Sequence, residues 1–546
     1  MPTFDLQAFL KEFLYDPKNP LLFNNGFFVF FFAAFIFLYY AFRNNIKTRR
    51  YIFCAFSLYF FYKASGLFVG LVIVSAIVDF FLSNAIYRQR HKGKRTALLV
   101  LSILFNLGML FYFKYTNFFI AVSNEMFHAT FNPMNILLPV GISFYTFENL
   151  SYTIDVYRDE LKPATKFSDY LLFLSFFPKL VMGPIVRAHD FLPQINEPYK
   201  ITETDFAKGF FLIISGMFKK LVISDYLTLN YVNYIFDDPG RYTGLENLFA
   251  VYCYAAVIYC DFSGYSDVAL GIARWLGFNI PVNFMSPYQS RNITEFWRRW
   301  HISLSSWLRD YLYIPIGGNR NGTIATYLFS ALFFVGVFFS SHYLFSFSYI
   351  ISGAITLGMV VLFLLPALIK KDKAGVPAGM NLLTTMLLGG FWHGASWNFI
   401  IWGALHGIAL TVHKIWMLLT GKALAKVNNR WWYNAIAIII TFHFVCFCWI
   451  FFKASDLQAG MVMIKQIVYD FKPSVWNAFF NNYKPVLGML LLAGLLHAIP
   501  DSLADKVIGK FKRVPLIAYI ALFFAFLVVY GYFKSAEQVL PIYLQF

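Results

Sequence analysis

Charge is scarce in this sequence, and that scarcity excludes more than any motif. Only 13% of the 546 residues are Asp, Glu, Lys or Arg, against 59% hydrophobic and 21% aromatic, with 67 Phe. A soluble domain of this length needs far more charge to cover its surface. Apolar runs of about twenty residues recur instead, the length that crosses the hydrocarbon core of a bilayer. Cysteine is sparse too. Cys54, Cys253, Cys260, Cys446 and Cys448 are odd in number and scattered through apolar surroundings, so they form no disulfide framework. They read as small apolar packing residues. HExxH, Cys/His ligand clusters, GxSxG, the Walker loop and GxGxxG are all missing, which removes the usual metal, hydrolase, ATPase and dinucleotide readings. No Gly/Ser linker, internal repeat or cleavable signal peptide is visible. The chain reads as one integral membrane domain over 1–546.

Basic residues outnumber acidic ones, giving a formal net charge of +17. No basic stripe is interleaved with polar sequence, so nucleic acid is not the implied partner. In a membrane protein such residues gather in cytoplasmic loops. Arg43, Lys47, Arg49 and Arg50 follow the first apolar run, and Arg88, Arg90, Lys92, Lys94 and Arg95 follow the third. Both groups are cytoplasmic if the N-terminus is extracytoplasmic. The KKDK run at Lys370–Lys373 and the group Lys506, Lys510, Lys512 and Arg513 read the same way. Counting the apolar runs predicts an all-α polytopic fold with about 11–14 transmembrane or re-entrant helices.

Against this background FWRRWHISLSSWLRD, Phe296 to Asp310, stands out. On one helical wheel Trp297, Trp300, Leu304, Trp307 and Leu308 share an apolar arc. Arg298 and Arg309 share a second face, Arg299 and Asp310 a third, and His301 and Ser305 border the aromatic arc. A helix so charged cannot face acyl chains, since a mid-bilayer arginine costs at least ~2.5 kcal/mol. It lies at the cytoplasmic interface or inside protein, either as an aromatic-anchored interfacial helix or as part of a site.

GGFWHGASWNFIIWGALHG, Gly389 to Gly407, embeds His393 beside Trp392 in an uncharged helical pattern. A histidine there is a hydrogen-bonded packing residue or a neutral base able to accept a proton. His406 falls about 220° around a straight wheel from His393, so the two face apart. His406 and His413 share a face two turns apart. YCDFSGYSDVALG, Tyr259 to Gly271, sets Asp261, Tyr265 and Asp267 between apolar runs. These are members of a polar network paired with arginines, or groups that touch substrate.

In this order, DFSGYSD (Asp261 to Asp267), NFMSPYQSRNITEFWRRWHISLSSWLRDYLYIPIGGNR (Asn283 to Arg320) and LLGGFWHGASWNFIIWGALHG (Leu387 to Gly407) resemble the membrane-bound O-acyltransferase family. The likeness is to its bacterial branch containing the alginate O-acetyltransferase membrane subunit. Supporting segments are Leu138 to Arg158, Phe176 to Arg187 and the terminal IYLQF. One departure is an apolar stretch over about 327–380, long enough for an inserted helix pair, between IGGNR and LLGGFWHG. The resemblance implies a ring-like helical core in the cell (inner) membrane, with a funnel open to the outside and a donor entrance from the cytoplasm. His393 corresponds to the family's central histidine and implies a general base. His301 is the second histidine, placed to position the donor or stabilise its oxyanion. Trp297, Arg298, Trp300, Ser305, Arg309, Trp392, Asp261 and Tyr265 are the implied substrate-binding residues. No cofactor or metal is implied. The implied donor is acetyl-CoA or another acyl thioester, and the acceptor an extracytoplasmic polysaccharide or a periplasmic or extracellular SGNH-type acetyltransferase partner. D-alanyl-type transfer to a wall polymer, and a transporter or flippase without chemistry, are the alternative readings.

Overall fold

The computed structural model describes residues 11–23, 25–343, 347–370, 374–424, 430–512, 514–533 and 539–544. Of the residues read above, Lys371–Lys373, Arg513 and the last two of IYLQF lie outside that set. Among the described residues there are helices and loops and no strand. The principal helices are α1 (Gly26–Ala41), α2 (Ile46–Ser65), α3 (Val69–Arg88), α4 (Lys92–Leu110), α5 (Ile142–Tyr157), α6 (Phe167–Ser175), α7 (Glu203–Met217), α8 (Gly244–Trp275), α9 (Ile293–Arg299), α10 (Ile302–Leu308), α11 (Ile324–Tyr343), α12 (Tyr349–Lys370), α13 (Gly375–His393), α14 (Trp397–Leu424), α15 (Trp431–Lys453), α16 (Lys484–His497) and α17 (Leu516–Phe533).

Eight described helical stretches are long and apolar enough to cross a membrane, or nine if the bent pair ending in α16 counts as one span. The fold is that of a multi-pass membrane protein. The remaining apolar runs are short or broken. Helix α6 stops at Phe176, whose backbone leaves the helical region, and its nine residues are too few to span alone. Helix α13, 19 residues long, ends before Gly394 and is long enough to cross but not apolar enough to count as a span.

The chain divides into two compact units, one comprising residues up to Tyr226, Val257–Asn283 and those from Ile499, the other Leu227–Ala256 and Phe284–Ala498. In the first unit, Phe177 is the hub of an aromatic core, within 4.9–6.3 Å of Phe28, Phe32, Phe35, Phe53, Phe56 and Phe60. Ion pairs lie inside this unit. Arg50 lies inside α2, buried, 2.7 Å from Asp169, and Lys179 meets buried Glu148 at 2.5 Å. Asp79, on α3, instead accepts from Ser102 at 2.5 Å and Asn106 at 2.7 Å. In low dielectric an unpaired carboxylate needs such donors to remain.

The second unit is organised by the hairpin of α13 and α14. A Cβ at Gly390 would collide with the Phe399 carbonyl oxygen, and one at Gly403 with that of Met386. Two glycines facing each other let the backbones approach as side chains would not allow. Asn381, on α13, donates to the carbonyls of Gly318 and Asn321 at 2.9 Å each and accepts from Thr326 at 2.6 Å. These bonds tie the IGGNR loop to the hairpin. The stretch 327–380 folds largely as α11 and α12, and Phe363 of α12 is buried near Gly379 of α13.

Gly403→Val should wedge this hairpin open, whereas Gly336→Val, with open space around its Cβ position, should not. Overpacking costs about 1–3 kcal/mol. Thermal unfolding of the detergent-purified variants should show a lowered midpoint for the first substitution alone; equal midpoints would remove the close-approach argument.

Candidate functional site

The segment 296–310 is not one helix. Asn292 caps α9 by accepting from the Glu295 amide at 2.8 Å, and α9 stops at Arg299. Trp300 is extended (φ −97°, ψ 127°), and His301 is left-handed (φ 43°, ψ 55°) before α10 starts. A non-glycine residue held there costs roughly 1–3 kcal/mol. Ser305 closes the break, its amide donating to the His301 carbonyl at 2.9 Å and its hydroxyl to the Trp300 carbonyl at 3.2 Å. The single wheel drawn through 296–310 therefore fails: Arg298 belongs to α9, and Arg309 opens a wider π-turn over Arg309–Tyr313. Both arginines are exposed, Arg309 leaning on Asp310 at 2.8 Å. Arg299 is committed to Glu295 at 2.8 Å.

The break turns Trp297, Trp300 and His301 inward, where all three are buried. His301 is fully buried and belongs to no helix long enough to span, and desolvation pushes its pKa down to about 3. The ring is neutral at any ordinary pH. His393 closes α13 and is 4% exposed. Around it lie Trp392 at 4.9 Å, Trp402 at 5.0 Å and Phe452 at 5.2 Å between ring centroids, each nearly edge-on. Trp392 also lies 6.4 Å from His301, so the two histidines flank one indole.

His406 is brought into the same cage, contrary to the straight-wheel expectation. Trp402 stacks its edge against both His393 and His406, at 5.0 and 4.7 Å. The wheel assumed an unbroken helix through 389–407, and the turn after His393 folds α14 back along α13. The Trp297 indole then donates to His406 Nδ1 at 3.3 Å. Trp449 completes the wall, 5.0 Å from Trp300 and 6.0 Å from Trp402, and donates to the Tyr288 hydroxyl at 3.2 Å. Among the described residues no group of three His, Cys, Asp or Glu is placed to hold a metal ion.

Asp261 and Tyr265 belong to the first unit. Asp261 is 2.6 Å from Lys220, which also meets Asp225 at 2.8 Å, and its second oxygen accepts from the Ile542 amide at 2.9 Å. Tyr543 packs on Phe262 at 4.6 Å. Asp261 thus clamps the C-terminal turn, and its partners are a lysine and a backbone amide, not the arginines the sequence suggested. Tyr265 stacks on Phe23 at 4.7 Å.

A model of the MBOAT family, membrane-bound O-acyltransferases, matches residues 59–357, more than half of the chain. The chain is 34% identical over 491 residues to "Probable alginate O-acetylase AlgI" of Pseudomonas aeruginosa, covering 88% of this chain and 81% of that one. The chain belongs to the membrane-bound O-acyltransferase family. It is 32% identical over 484 residues to the peptidoglycan O-acetyltransferase of Helicobacter pylori, with 82% and 80% covered. A teichoic acid D-alanyltransferase of Bacillus subtilis is 28% identical over 332 residues, 60% and 71% covered. The family model stops before His393, but a stretch covering 88% of 546 residues necessarily includes positions 301 and 393. The protein is a multi-pass membrane O-acyltransferase.

Sequence reasoning missed Trp402, His406, Trp449 and Phe452 as cage members. Phe399, Trp402 and His406 are spaced i, i+3, i+7 and so share a face of α14; that signal was present once the turn was placed. Trp449 and Phe452, on α15, come from a distant segment and carried no local mark.

His301→Gln should alter stability with pH. A histidine whose folded pKa is depressed stays unprotonated while the unfolded chain binds a proton below about 6.5. Stability therefore falls as pH drops below that value, on the order of 2 kcal/mol by pH 5. Thermal unfolding between pH 7 and 5 should show a smaller loss in the variant than in the wild type, and identical losses would mean that His301 titrates normally.

Proposed function

We propose that the protein transfers an acyl group, acetyl being the best fit, from a cytoplasmic thioester such as acetyl-CoA to a hydroxyl on the extracytoplasmic side. The observation that carries this is the pairing of His301 and His393 across one indole in a buried aromatic cage. His393 is the general base. It takes the hydroxyl proton while the hydroxyl oxygen attacks the acyl carbon, the C–O bond forms, and the C–S bond breaks to release the thiolate, which recovers the proton. Such proton transfer contributes typically ~10²–10⁴-fold. The C-terminal end of α13 favours the positive charge His393 acquires. A thioester is already activated, so no serine or cysteine nucleophile is required. His301 positions the thioester. Exposed Arg298 and Arg309 meet the anionic carrier, as charge-assisted donors suit phosphates.

The acceptor is a polysaccharide hydroxyl or an SGNH-type acetyltransferase that completes delivery outside the cell membrane. The names of the alginate and peptidoglycan relatives support a polysaccharide. D-alanyl transfer is the weaker reading, since the teichoic acid relatives match a shorter part of the chain.

His393→Ala should abolish polymer acylation in cells while the purified variant remains monodisperse; full acylation by a folded variant would overturn the base assignment. Arg298→Gln combined with Arg309→Gln should weaken donor use by one to a few orders of magnitude, at roughly 1.5–3 kcal/mol per charge-assisted contact. Sidedness is tested in proteoliposomes, with labelled acetyl-CoA on one face and acceptor on the other. Label should reach the acceptor only from the opposite face, and unmodified polymer crossing with no thioester consumed would make the protein a transporter.

A further inference from the structure

The cage holds an imbalance of hydrogen-bonding groups that the roles above do not use. An indole N–H can only donate. Because Trp297 Nε1 donates to His406 Nδ1 at 3.3 Å, that nitrogen carries no proton, and the neutral ring must carry it on Nε2. His406 Nε2 and Trp402 Nε1 are both buried, and neither has a hydrogen-bond acceptor among the described residues. Their rings lie 4.7 Å apart, and Trp402 is edge-on to His393 at 5.0 Å. Two buried donors without acceptors are rare in a packed interior and call for an explanation. The missing partner must supply lone pairs. A carbonyl oxygen, which has only acceptor sites, fits better than a hydroxyl or an ammonium, which bring protons of their own.

We propose that Trp402 Nε1–H and His406 Nε2–H receive the acyl carbonyl oxygen of the thioester and stabilise it as it becomes an oxyanion. This rests on His393 being the base of the same cage. When the hydroxyl oxygen adds to the acyl carbon and its proton passes to His393, the carbonyl π pair moves onto the oxygen held by these donors. It returns when the C–S bond breaks. Neutral donors fixed in a buried aromatic cage gain strength as charge develops on their partner. Trp297 is a positioning residue here: its indole selects the tautomer of His406.

The test uses full-length protein in nanodiscs and two analogues of acetyl-CoA: a ketone with methylene in place of the thioester sulfur, and S-ethyl-CoA, which lacks the carbonyl. Wild type should bind the ketone roughly tenfold more tightly than S-ethyl-CoA. Trp402→Phe keeps a ring and removes the donor, and it should bring that ratio close to one while leaving S-ethyl-CoA affinity unchanged. Its kcat with acetyl-CoA, read as CoA release, should fall about 100-fold, with KM within about threefold. His406→Gln retains an N–H and should keep part of the ratio; if Trp402→Phe does not fold, Trp297→Phe and His406→Phe carry the same comparison. His393→Ala should lose turnover yet keep the wild-type ratio, and an active His393→Ala would overturn the base while the ratio still decides the donors. A ratio preserved in Trp402→Phe, both analogues weakened equally, or no carbonyl preference in the wild type overturns the proposal.

Discussion

The close approach of α13 and α14 is the constraint on which the second unit depends. Gly390 against Phe399 and Gly403 against Met386 bring two backbones into contact, and the tight turn after His393 follows from that contact. Without it, Trp402 and His406 would leave the neighbourhood of His393. The aromatic rings of α9 and α15 then pack on a surface that the hairpin has already defined. Apolar burial alone would not select this arrangement, because lipid is as apolar as the interior. Shape, and the few hydrogen bonds made by indoles and imidazoles, select it.

Much of the architecture was legible in the sequence. Scarce charge and recurring apolar runs gave a helical membrane protein, and the ordered motifs around His301 and His393 gave the family. What escaped was conformation at single residues. A wheel through 296–310 cannot anticipate that His301 takes a left-handed backbone, since nothing about histidine demands it. The same blindness turned His406 outward, because period alone assumes that a helix continues. Trp449 and Phe452 escaped for another reason: they reach the cage from a segment about fifty residues further on, and no local pattern encodes a tertiary neighbour.

The arginines separate into two kinds. Arg50 and Arg299 are consumed by Asp169 and Glu295 and belong to the scaffold. Arg298 and Arg309 remain exposed. In a chain this poor in charge, exposed cations on the segment that builds the cage stand out. The split could not be read from composition, since all four look alike in sequence. Partners four residues away or across the unit hold Arg299 and Arg50 in the scaffold, while Arg309 leans on its neighbour Asp310 and stays exposed.

The clamp on the C-terminal turn reads backbone rather than side chain. Asp261 takes the amide of Ile542, and Lys220 reaches the Val539 carbonyl at 3.4 Å. A grip of this kind is indifferent to which residue stands at 542, with one exception: proline, which has no amide hydrogen to give. The side chains add what the amide grip leaves open: Ile542 is itself buried, and the Tyr543 ring packs against Phe144 and Phe262.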